Sequence, residues 1–210
     1  MTPYADMKEI KSRAKSNPAE IFRDKRAWLY LLVCFFYISF QTGITTWLPT
    51  YCSKYLGYNF QTAGLMVTLY FLGALGIRFL SPVIYKKISV RSFYIGSLLL
   101  SGILFLVFLM LPMPEIASKI MMVVMGLLQG ASVPALVILT CEAFPTRTAS
   151  ASSVIVLGIS LASLVIPTVM GALMKSSGYL MPMLVITVCL FLSVLILLPI
   201  KNIDTEIRVK

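Results

Sequence analysis

Apolar residues run in six blocks along this chain: Ala27–Thr50, Gln61–Ile84, Phe93–Pro112, Ile120–Cys141, Ser152–Met174 and Tyr179–Ile200. A helix covers ~30 Å of hydrocarbon with ~20 residues, so each block predicts one membrane-spanning helix. None carries a central Asp, Glu or Lys, and Arg78 alone places a charge inside a block. The predicted fold class is therefore all-α: a polytopic membrane protein whose six helices occupy residues 27–200. Residues 1–26 form a basic arm or inter-domain linker, with Asn17-Pro18 as a helix start, and residues 201–210 form a tail.

The polar positions within the blocks follow an order that repeats. The first and fourth carry mid-span amides with helix-weakening neighbours: Gln41 with Gly43, and Gln129 with Gly126, Gly130 and Pro134. The second and fifth are rich in small residues, among them Gly64, Gly73, Ala74 and Gly76, then Gly158, Ala162 and Gly171. The third and sixth are almost wholly aliphatic and aromatic, and are expected to face lipid, Ser101 and Ser193 included. Three helices followed by three of the same character in opposite orientation is the pattern of a 3+3 inverted repeat. Gly126-Leu-Leu-Gln-Gly130 has the small-x-x-x-small spacing that lets helix backbones approach in lipid.

Composition agrees, with 59% hydrophobic residues and a mean hydropathy of +0.90. The net charge of +10 would fit a nucleic-acid binder were it not for where it lies. With the first span leaving the cytoplasm, fourteen Lys and Arg fall on the cytoplasmic side and three (Lys54, Lys119, Lys175) on the other; Arg78 completes the eighteen. That asymmetry places both termini in the cytoplasm and excludes nucleic acid as its explanation. The charged N-terminal stretch lacks the features of a signal peptide. There is no His and no Cys-x-x-Cys, so no cofactor or metal site is expected, and the four cysteines stand apart. A plasma (inner) membrane location is expected.

Depth singles out the candidate site residues. At 1.5 Å per residue, Gln41 lies roughly 20 Å in from Trp28 and Gln129 roughly 15 Å in from Lys119, both near mid-membrane. Tyr37, Gln41 and Thr45 form one polar stripe, and Ser132 extends the patch of Gln129. Polar groups facing lipid are costly, so these should face a cavity or bond another helix. Arg78 shares a face with Tyr70 and Ala74. It is either a clamp for a carboxylate, phosphate or sulfate group, or an anchor that snorkels or bonds helix-end carbonyls. Glu142-Ala-Phe-Pro145-Thr-Arg147 suggests a charge latch in the cytoplasmic loop. Enzymatic chemistry is not expected, because no inward carboxylate pair, GxSxG or phosphate-binding loop is present.

Four segments give the chain a resemblance to the C-terminal six-helix half of the major facilitator superfamily. Gly43-Ile-Thr-Thr-Trp47-Leu-Pro49-Thr-Tyr51 resembles the outer end of that family's seventh helix. Glu142-Ala-Phe-Pro145-Thr-Arg147 is similar to its E-x-F-P-x-x-x-R signature, with the Arg two residues after the Pro. Ile166-Pro167 through Gly178-Tyr179 resembles the eleventh helix and the start of the twelfth. Ser81-Pro-Val-Ile-Tyr85-Lys86-Lys87 with Arg91 occupies the place of the G-x-x-x-D-R-x-G-R-R loop, and Tyr85 stands where an Asp is usual. The resemblance implies secondary active transport of a small solute by alternating access, with Tyr37, Gln41, Tyr70, Gln129 and Ser132 along the path. Arg78 would be an anion clamp or latch, and Lys86, Lys87, Arg91, Glu142 and Arg147 a cytoplasmic loop latch. The partners implied are the bilayer, a solute, and an N-terminal six-helix half or a second copy. Two other readings stay open: a degenerate half that scaffolds or regulates a partner, and a half-size carrier acting as a homodimer.

Overall fold

The structure, a computed structural model, describes residues 18–111 and 113–200. The arm before Pro18, Asn17 included, and the tail 201–210 lie outside the described residues, as does Pro112.

A 3-10 turn, Pro18–Arg23, leads into α1, Lys25–Lys54. It packs on the bundle through Ile21, which is buried, and the Trp28 indole N–H donates to the Phe22 carbonyl at 2.9 Å. Then follow α2, Phe60–Lys87, and α3, Val90–Met110. The fourth span is two helices, α4, Glu115–Gln129, and α5, Ser132–Ala143. The chain closes with α6, Thr148–Ser177, and α7, Leu180–Leu197. Six spans result, as the hydropathy pattern predicts.

Most helices overrun their apolar blocks because polar caps start them outside the hydrocarbon. The side chains of Asp24, Asn59 and Ser89 accept from the backbone N–H of Arg26, Thr62 and Ser92 at 2.9, 2.7 and 3.2 Å, which satisfies donors that would otherwise be orphaned at each N-terminus. The Arg26 guanidinium also bonds Asp24 and holds its carboxyl below the usual carboxylate range. Gly57 and Gly178 turn the chain at the ends of α1 and α6 with φ of 74° and 77°, which favours glycine.

The packing has the two-fold character of an inverted repeat. The second span lies along the first segment of the fourth, α2 on α4, and the first lies along the fifth, α1 on α6. Matching spans 1–3 to 4–6 makes these one contact made twice. The third and sixth, α3 and α7, pack on each other. Lipid tails are as apolar as leucine, so close fit rather than water exclusion must hold such a bundle. The fit is tightest between α2 and α4. A Cβ on Gly126 would run into the Tyr70 carbonyl, one on Gly130 into the Ala74 carbonyl, and one on Gly73 into the Val123 carbonyl. The Gly-x-x-x-Gly spacing thus acts in helix packing.

Two sequence expectations need correction. Ser101 and Ser193 do not face lipid: both are fully buried, and each hydroxyl meets partners on other helices. Ser193 donates to the Val33 carbonyl at 3.0 Å and meets the Tyr94 hydroxyl at 3.0 Å. The first span is also not breakable at Gly43. Glycine weakens a helix but removes no N–H, and α1 runs unbroken while Gly43 admits the Ile186 side chain.

Candidate functional site

The break in the fourth span falls at Gly130-Ala131, and proline chemistry explains it. Pro134 has no N–H to give the Gly130 carbonyl one turn back, and its ring crowds that carbonyl. In a bilayer the freed carbonyls need other donors. Side chains supply two of them, and a third adds a second bond to the Ala131 carbonyl, which the Ala135 N–H already serves at 3.0 Å. The Tyr37 hydroxyl donates to the Gln129 carbonyl at 3.1 Å, Arg78 Nε to the Gly130 carbonyl at 3.0 Å, and the Tyr85 hydroxyl to the Ala131 carbonyl at 2.9 Å. By residue count the break lies roughly 20 Å from either end of the fourth span, while two of the donors, Arg78 and Tyr85, stand nine and two residues before the end of α2.

The Gln129 side chain sits beside this break with no exposure. Its Oε1 accepts from the Tyr70 hydroxyl at 3.0 Å, and its Nε2 donates to Ser101 Oγ. Ser132, also buried, lies beside Tyr37, and its hydroxyl has no hydrogen-bond partner of good geometry. Five sequence candidates therefore converge on one place: Tyr37, Tyr70, Gln129, Ser132 and Arg78. Tyr37, Tyr70, Gln129 and Ser132 are enclosed within the domain. Gln41, one turn beyond Tyr37, is half-buried, and Arg78 is exposed. The polar stripe is divided accordingly: Tyr37 points into the bundle, whereas the Thr45 hydroxyl bonds back to the Gln41 carbonyl at 3.0 Å.

Arg78 differs from every other charge in the described chain. Its Nε is fixed on Gly130, and neither Nη group has a hydrogen-bond partner among the described residues. It closes one end of an open groove of about 430 Å³ on α2, lined also by Thr68, Phe71, Leu72, Ala74 and Leu75. Among the described residues no acid is at hand: Glu20 lies in the 3-10 turn, and Asp24, Glu115 and Glu142 stand at helix ends.

The loop residues gather at the other end of the bundle. Arg91 donates to the carbonyls of Leu197, Leu198 and Ile200 and so fastens the end of α7, a favourable place for a cation. Arg26, Arg91 and Glu142 all lie within electrostatic reach of Tyr30. The Arg26 guanidinium sits 5.3 Å from the centre of the Phe144 ring, within cation–π range, and so ties α1 to the Glu142–Arg147 turn. Lys86 and Lys87 are exposed, and Arg147 lines an open cavity of about 590 Å³ with Arg23, Asp24 and Lys25.

Sequence reasoning passed over Ser101 as a partner of Gln129 and Tyr85 as a donor to the break. Tyr85 had a signal, since Tyr70, Arg78 and Tyr85 recur near helical period on one side of α2. Ser101 had none, because nothing in α3 reveals which helix it meets.

Six spans in an inverted-repeat packing, with the fourth broken at Gly130-Ala131, define the protein as a polytopic helical membrane protein. The family model of the Major Facilitator Superfamily matches residues 3–119 and residues 53–207, and the chain belongs to that family of membrane transporters. Its 210 residues fit one half of such a protein. No curated protein matches the chain.

Proposed function

We propose that this chain is the C-terminal six-helix domain of a secondary active transporter that moves a small solute by alternating access, as a symporter or antiporter of the plasma membrane. A second six-helix half completes it, and both termini lie in the cytoplasm. One observation carries the reading: the Arg78 guanidinium, exposed within a span with no acid beside it among the described residues. A cation at that depth belongs against another protein surface or a water-filled cavity, not hydrocarbon. The α2 face that bears it is the face a second half would cover, and α2 and α6 are the most open spans. Gln41, half-buried on α1, is the amide that reaches the same solvent path; Tyr37, Tyr70, Gln129 and Ser132 act behind it. Lys86, Lys87, Arg91, Glu142 and Arg147 hold the cytoplasmic ends as a latch.

Proteoliposomes test this. The chain alone is expected to move no solute, and the chain reconstituted with its second half is expected to transport. Transport by the monomeric chain would overturn the reading, and transport by a crosslinked homodimer alone would replace the second half with a second copy.

A further inference from the structure

We infer that Arg78 and its groove on α2 bind the oxyanion of an organic solute, a carboxylate or phosphate group, with the solute's carbon body lying along Phe71 and Leu75. The assignment rests on the transport reading above and names the substrate class for it.

Four observations on α2 converge. The first is orientation. The Nε–Gly130 bond fixes the plane of the guanidinium and leaves the Nη pair open, and that pair forms the fork that matches two oxygens of a carboxylate or phosphate. The second is charge. Among the described residues no acid lies within a span beside Arg78, so its fork is open to the countercharge of another molecule. The third is shape. From Thr68 to Arg78 the groove runs roughly 15 Å along one helix, and it is open on the side that a second half would face. The fourth is lining. Beyond the guanidinium the walls are Phe71, Leu72, Ala74 and Leu75, with the Thr68 hydroxyl at the far end, so a bare inorganic ion would leave most of the groove unfilled. Arg78 lies nine residues before the basic end of α2, roughly 13 Å along the helix, so a lipid phosphate would have to sink below the headgroup layer to meet the fork.

The test uses the complete carrier, this chain with its second half, purified and melted with three matched pairs of probes at constant ionic strength. Gluconate, glycerol 3-phosphate and benzoate are set against glucose, glycerol and benzyl alcohol. A ligand that binds only the folded protein raises Tm with concentration, which gives an apparent Kd. At least one anion is expected to stabilise the carrier while its neutral counterpart does not. Arg78→Gln, which keeps a donor for the Gly130 carbonyl, is expected to weaken that anion at least tenfold, and Arg78→Lys to fall between. Because the shift is read against each variant's own unliganded Tm, a general loss of stability does not mimic the result. Stabilisation by neutral probes only, by no probe, or by anions equally well in Arg78→Gln overturns the assignment. If solute still crosses the membrane in those cases, the transport reading stands and Arg78 pairs with an acid of the second half. If no solute crosses, both fail together.

Discussion

Gln129 is held at both ends of its amide by the domain itself, through Tyr70 and Ser101, and this sets what its removal does. Gln129→Ala leaves two buried hydroxyls without their partner and a small void, so its first effect is on stability. Hydrogen bonds between membrane helices average ~0.6 kcal/mol and reach ~1.7. Tyr70→Phe and Gln129→Ala are each expected to lower the Tm of the detergent-solubilised chain. The double variant should lose less than the sum, by about 0.5–1.5 kcal/mol, as residues sharing one bond do. Strict additivity would mean that the bond contributes nothing. The sequence made Gln129 and Arg78 conspicuous because each is rare at its depth. What each one does depends on partners set by packing: Ser101 on α3 for one, and the Gly130 carbonyl, freed by a proline four residues on, for the other. A polar residue can be seen in one sequence, but the helix face opposite it cannot.

At the scale of elements, the α2–α4 contact depends on absent side chains. Gly126→Ala sets a methyl against the Tyr70 carbonyl, which is backbone and cannot swing aside. Overpacking typically costs 1–3 kcal/mol, so about 2 kcal/mol or more is expected here. Gly96→Ala on α3 meets nothing within 4 Å. It is expected to be neutral or to stabilise by up to about 1 kcal/mol through helix propensity. Thermal unfolding of the two variants reads the contrast, and equal effects would remove close packing as the cause. The six spans were legible because hydropathy and length suffice to place a helix in a bilayer. The order of span types also foretold the two-fold packing, small-residue spans taking the close contacts. The break was legible only in part. Glycine near an amide marks both the first and fourth spans and Pro49 lies in the unbroken first, but only the fourth sets a proline four residues after its glycine, at Gly130 and Pro134.

At the scale of the whole molecule, the proposed orientation rests on the asymmetry of basic charge and can be tested by labelling. Among the described residues, Thr148 at the start of α6 and Ser176 at its end stand on opposite sides of the bilayer. With Cys34, Cys52, Cys141 and Cys189 replaced, a cysteine at Thr148 is expected to react with an impermeant thiol reagent only from the cytoplasmic side. One at Ser176 is expected to react only from outside. The reverse labelling would invert the orientation, though not the fold.

The divided fourth span has a kinematic consequence. Its first piece, α4, is gripped along its length by α2, whereas its second piece, α5, rests chiefly on α6, and α3 touches both. Two rods fastened to different neighbours share one joint, at Gly130-Ala131, and no helical hydrogen bond need break for the joint to flex. The groups that hold it come from α1 and α2, so displacing the Arg78 side chain would loosen the pivot itself. Whatever occupies the groove on α2 is therefore placed to set the angle between the two halves of the span.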